Sequence, residues 1–204
     1  MKKVRRYPWR YLRWWKPIFR EHKCIEEADA TTTAADCFLR EQDLFALRAE
    51  DIAESNGEVA LRLGVPERGE SAKTGRHQGV VVDRPHVARL LLDRKSKCLP
   101  HEKVFKSNQD RYRQKLHDAE KRLGFTIGPA HSVRHSGPSH DCLTGYRSLS
   151  QVQTRGRWKS EKSVLRYAKP HTLIAVRARF SAETLAAGQQ LLNQLQPRPA
   201  KAKH

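Results

Sequence analysis

Residues 131–167 read HSVRHSGPSHDCLTGYRSLSQVQTRGRWKSEKSVLRY. The stretch holds His131-Ser-Val-Arg134, then Gly156-Arg157-Trp158, then Tyr167 nine positions after Trp158. One tyrosine hydroxyl is set among cationic and neutral hydrogen-bond donors, with no cluster of metal-binding carboxylates. Upstream, Arg40 on an expected helix and Lys73 on an expected hairpin add two more cations. Such a set suits attack on a phosphodiester.

The chemistry accounts for each residue type. A free tyrosine has a pKa near ~10, and dense positive charge lowers the cost of using its hydroxyl as a nucleophile. The attacked phosphodiester gathers negative charge on its non-bridging oxygens. Two forked guanidiniums, Arg40 and Arg134, match those oxygens better than lysines would. His131 and the Trp158 indole N–H add donors, and the indole can hold an oxygen but cannot take a proton. The leaving 5′ oxygen needs a proton, which Lys73 can deliver. Stabilisation of this kind is electrostatic and placed in advance. His131 and His135 share the four-residue spacing of a zinc pair, but the glutamate of such a motif is missing, so no metal is expected.

Composition supports a polyanionic partner. The 204 residues carry 40 Lys+Arg against 22 Asp+Glu, a formal net charge of +18. The excess is spread along the chain, which favours nucleic acid. Charge alone leaves open a generally basic protein such as a ribosomal or RNA-binding one. Cysteines at 24, 37, 98 and 142 show no CxxC spacing, so reduced thiols in an intracellular compartment are expected. No apolar run is long enough to span a membrane.

Residues 1–28 interleave Trp9, Trp14 and Trp15 with arginines and read as a basic arm or remnant. A first helix is expected from a cap at Thr31-Thr32-Thr33 to about Leu47. Strands are expected between Asp51 and Asp83, with Lys73 in the connection. A helix should follow Pro85. Another, capped by Ser107 or Asn108, should run to Leu123 with Gly124 beyond it. Pro138 should kink or end the next helix at Arg134. Ser148 should start a short helix ending at Gly156. Ser160 should cap one that carries Val164 and Tyr167. A last helix should open at Ser181, before a Pro/Lys-rich tail.

These residues together resemble the tyrosine recombinase (phage integrase) family. Arg40-Glu-Gln-Asp43-Leu44 followed by Leu47-Arg48-Ala-Glu-Asp51-Ile52 is similar to the segment of the first catalytic arginine, with Arg40 rather than Arg48 matching it and Asp43 matching the acidic residue behind it. Ala72-Lys73-Thr74-Gly75 resembles the lysine hairpin. His131-Ser-Val-Arg134-His135 resembles the His-x-x-Arg box, and Trp158 and Tyr167 fall where the family has a histidine or tryptophan and its nucleophile. The wording around Arg157-Trp158-Lys-Ser-Glu-Lys-Ser-Val resembles members carried by eukaryotic mobile elements.

The resemblance implies a mainly α fold with a small antiparallel β-sheet (α+β), the family's catalytic domain, over residues 29–180. It implies catalytic roles for Arg40, Lys73, His131, Arg134, Trp158 and Tyr167, with Asp43 and His135 in support. It also implies double-stranded DNA as partner, a 3′-phosphotyrosyl link, no cofactor and no metal. Residues 181–204 would supply a C-terminal helix that docks on another protomer, followed by a basic tail. The protein would act inside the cell, in the nucleus if its host is eukaryotic and otherwise in the cytoplasm. Residues 1–28 do not replace the family's N-terminal DNA-clamping domain, and Pro66 to Ser71 is a polar insertion beside Lys73. An inactive relic that only binds DNA is the alternative expectation.

Overall fold

The computed structural model describes residues 24–70, 78–123, 128–167, 182, 183 and 186. The basic arm (residues 1–23), Lys73, Gly124 and most of the expected C-terminal helix fall outside the described residues.

Helix α1 spans Ile25–Asp36, and α2 spans Glu41–Ala46. Strands β1 (Ile52–Ser55), β2 (Glu58–Leu63) and β3 (Gln78–Val82) follow. Then come α3 (Pro85–Lys95), α4 (Gln109–Leu123), α5 (His131–Thr144), α6 (Leu149–Gly156) and the single turn α7 (Lys162–Leu165). This is the expected mainly helical fold with a small antiparallel sheet.

The sheet has order β1-β2-β3, with both pairs antiparallel. Alternation along β2 sends Val59, Leu61 and Leu63 to the core, where they face Val80 and Val82 of β3. The β1–β2 turn is Asn56-Gly57, with φ of 50° and 81°. Positive φ at both central residues matches the twist of a two-residue hairpin, which is why asparagine and glycine stand there. The core joins this sheet face to Ala28, Ala35 and Leu39, to Val87 and Leu91 of α3, and to Tyr112 and Leu116 of α4.

The expected single helix from Thr31 to Leu47 is instead two. The three threonines lie buried inside α1, and the Thr31 and Thr32 hydroxyls donate back to the carbonyls of Glu27 and Ala28 at 2.7 and 2.8 Å. A threonine bonded to the carbonyl four residues back is no longer available as a cap. The helix ends in a Schellman turn, with the Leu39 N–H on the Ala34 carbonyl at 3.0 Å and Phe38 in the left-handed region at φ 53°. Arg40, expected on a helix, is the extended residue before α2, where its N–H donates to Asp43 Oδ2 at 3.4 Å.

The caps at Asn108 and Ser148 are as expected: the Arg111 N–H donates to Asn108 Oδ1 at 2.8 Å and the Gln151 N–H to Ser148 Oγ at 3.3 Å. Pro138 does not end α5, which continues through it to Thr144. Ser132, Ser136, Gly137 and Ser139 keep the buried face of that helix small. A Cβ on Gly137 would lie 1.9 Å from the Ala35 carbonyl oxygen and 2.5 Å from the Phe38 ring. The absence of a side chain there therefore sets the α1–α5 crossing distance.

Candidate active site

The turn between α1 and α2, the first turns of α5, the end of α6 and the turn after α7 meet at one place. Arg134 is its centre, with only 3% of its surface exposed. Its Nη1 donates to the Phe38 carbonyl and its Nη2 to the Gly156 carbonyl, each at 2.6 Å. Its guanidinium also lies 5.0 Å from the centre of the Trp158 ring. Burial, then the charges of Arg157 and Arg40, push the Arg134 pKa down to about 9, while Asp43 opposes them.

Gly156 makes this packing possible. A Cβ there would fall 1.7 Å from the Trp158 ring, so only glycine lets the indole fold over the end of α6. Arg157 follows in the left-handed region at φ 57°. Its Nη2 donates to Asp43 Oδ2 at 3.0 Å and to the Phe38 carbonyl at 3.2 Å. Asp43 is also 3.8 Å from Arg40 Nη1.

Trp158 passes the arrangement on to Tyr167, with ring centres 5.2 Å apart. Tyr167 was expected on a helix but lies just after α7, its N–H on the Val164 carbonyl at 2.8 Å. It is 3% exposed and packs with Phe38, Val152 and Val164. Its hydroxyl is hydrogen-bonded to His135 Nδ1. His131 is exposed, one turn before His135, with ring centres 4.6 Å apart in an edge-on contact. Thus Arg40, Asp43, His131, Arg134, His135, Trp158 and Tyr167 converge, and Lys73 lies outside the described residues. Among the described residues no group of three His, Cys, Asp or Glu side chains is placed to hold a metal.

Sequence reasoning did not count Arg157, Phe38 or Gly137 among the site residues: Phe38 reads only as part of a helix's buried side and Gly137 only as part of a helix interruption. It also missed a charged network beneath the site. Asp36 on α1 pairs with Arg84 at 3.1 Å and Arg155 at 3.5 Å, and Arg84 continues to Asp141 on α5 at 2.7 Å. Arg147 binds Asp141 and Asp83. These residues are far apart in the chain, and no local spacing marks them as partners.

No family model matches the sequence, and no curated protein does. Two solved structures are similar in fold. One is the XerH site-specific recombinase bound to palindromic difH substrate in a post-cleavage complex, with TM-score 0.64 and 15% identity over 85% of this chain and 53% of that one. The other is XerH bound to difH in a pre-cleavage complex, with TM-score 0.62 and 15% identity over 84% and 52%. This chain spans about half the length of those recombinases. Among the described residues no helix is long and apolar enough to cross a membrane. The mainly helical architecture, its three-stranded antiparallel sheet and these likenesses establish the fold as that of a tyrosine recombinase catalytic domain.

Proposed function

We propose that the protein cleaves and rejoins double-stranded DNA through a phosphotyrosyl intermediate. The observation that carries this reading is the continuous chain of contacts from Arg134 through Trp158 to Tyr167 and His135. A phosphate-binding guanidinium, a donor-only indole and a candidate nucleophile are held together by one buried cluster. In this reading Arg40 and Arg134 bind the non-bridging oxygens, and His131 and Trp158 donate to them. The Tyr167 oxygen attacks phosphorus, its proton passing to a neighbouring base. The bond to the 5′ oxygen breaks, and that oxygen takes a proton from Lys73. A free 5′ hydroxyl of a second strand reverses the step, so no metal, nucleotide or redox partner enters the balance.

The burial of Tyr167 makes the described arrangement a resting one. The turn after α7 has to swing the hydroxyl away from His135 before it can meet DNA. The protein would act inside the cell, in the nucleus of a eukaryotic host or otherwise in the cytoplasm, and would self-associate on DNA through residues 181–195. Integration of a mobile element is one use of such chemistry. The second reading is a DNA-binding protein without catalysis. It is favoured by the buried tyrosine.

The test uses a randomised library of nicked suicide duplexes. Wild type should give an SDS-resistant protein–DNA adduct, and Tyr167→Phe none. Salt-sensitive duplex binding without adduct would establish the second reading instead.

A further inference from the structure

We propose that Arg157 is a third guanidinium of the phosphate pocket, and that Asp43 is the internal counter-ion which a phosphodiester displaces from it. The proposal rests on the reading of this site as one that receives a phosphodiester.

The guanidiniums of Arg40 and Arg157 both approach the Asp43 carboxylate, and its charge also acts on Arg134. Asp43 is shared unequally. Oδ2 takes a 3.0 Å hydrogen bond from Arg157 Nη2, but lies 3.8 Å from Arg40 Nη1. Arg157 and Arg134 are tied to each other through the Phe38 carbonyl, which accepts from both. One anion entering the cluster therefore meets linked guanidiniums.

The cluster has donors to spare. Arg40 Nη1 and Arg157 Nε and Nη1 are buried and make no hydrogen bond. The Arg157 side chain is only 6% exposed. Buried donors without acceptors are unusual, and a cationic group in that state is the costliest kind. An incoming phosphate supplies several acceptor oxygens and negative charge where the single carboxylate leaves a surplus of positive charge. Burial and Arg40 both disfavour the charged form of Arg157, with Asp43 as the opposing influence. The left-handed backbone at φ 57° costs an arginine conformational energy that glycine would avoid.

The experiment is thermal unfolding of the full chain titrated with inorganic phosphate, with chloride at matched ionic strength to remove screening. Wild type should gain stability with phosphate, by binding linkage. Arg157→Met should need about tenfold more phosphate for the same gain. Arg157→Lys keeps the charge but not the fork, and should fall between them. Asp43→Asn removes the competing carboxylate and should reach the gain at lower phosphate, which tests the idea even if Arg157→Met fails to fold. A purely structural Arg157 would lower the starting Tm and leave the phosphate gain unchanged. That result, or the lack of any phosphate gain in wild type, or a weaker gain in Asp43→Asn, overturns the proposal. A phosphate gain dependent on Arg157 without any DNA adduct sustains the pocket and removes the catalytic reading. An adduct with a phosphate gain indifferent to Arg157 does the reverse.

Discussion

The Phe38 carbonyl accepts Arg134 Nη1 at 2.6 Å, so the arginine at the centre of the site is held by the turn that ends α1. That turn needs Phe38 at φ 53° and needs α5 close enough to reach it. The closeness comes from Gly137, which leaves no side chain between α5 and the Ala35 carbonyl.

Gly137→Ala should therefore separate the two helices. Its Cβ meets backbone, which cannot rotate away as a side-chain end can. Overpacking of this kind costs about 1–3 kcal/mol, and here it also pulls Arg134 from the Phe38 carbonyl. Denaturant unfolding should show the loss. Any DNA adduct formed by wild type should fall by more than the fraction unfolded explains. A Gly137→Ala protein of unchanged stability would mean that α1 and α5 are not so close.

Arg134→Lys tests the fork itself. A lysine carries the charge but cannot reach the Phe38 and Gly156 carbonyls together while also meeting the Trp158 ring. Loss of the two charge-assisted hydrogen bonds should destabilise the fold by about 3 kcal/mol or more. Adduct formation should drop by at least about a hundredfold, with duplex affinity nearly kept, because overall charge dominates binding. Equal losses in affinity and adduct would remove the distinction.

Much of this site was legible in the sequence, and the illegible part has physical causes. His131, Arg134, Trp158 and Tyr167 stand at spacings that local helices preserve, so the sequence order carries into space. The break between α1 and α2 was missed because its left-handed residue is Phe38 rather than glycine, and because three threonines resembled a cap. Phe38 tolerates the position because its ring fills the cluster around Tyr167 and lies 5.5 Å from the Arg155 guanidinium. Pro138 resembled a break because its local cost is visible, whereas the tertiary packing of Gly137 on α1 is not. The Asp36, Asp83 and Asp141 pairings with Arg84, Arg147 and Arg155 depend on tertiary folding, so one sequence does not announce them.

Tyr167→Phe separates packing from chemistry. The ring stays in the cluster with Val152 and Val164, and only the hydroxyl bonded to His135 is lost. Stability should change by about 0.5–1.5 kcal/mol, the usual net worth of one hydrogen bond, while adduct formation should vanish. His135→Ala should loosen Tyr167 instead. Its hydroxyl then loses the partner that holds it in the resting position, and hydrogen exchange at Tyr167 and its neighbours should quicken. Unchanged exchange after His135→Ala would show that packing alone retains the tyrosine.

Asp36 makes the stability of the fold depend on pH. Burial raises its pKa to about 6, against the opposing charges of Arg84 and Arg155. A carboxyl with a raised folded pKa holds its proton more tightly folded than unfolded. Its contribution is therefore greatest below the unfolded value of 3.8 and is lost as pH rises through about 6. The span corresponds to a loss of up to roughly 3 kcal/mol. Asp36→Asn has no proton to lose, but also no charge for Arg84 and Arg155. The stability of wild type relative to Asp36→Asn should therefore decline between pH 4.5 and pH 7.5 (roughly spanning the titration), as read from urea midpoints. A difference constant over that range would place the Asp36 pKa outside it. It would then leave the ion pairs with Arg84 and Arg155, rather than burial, as the dominant influence on the carboxyl.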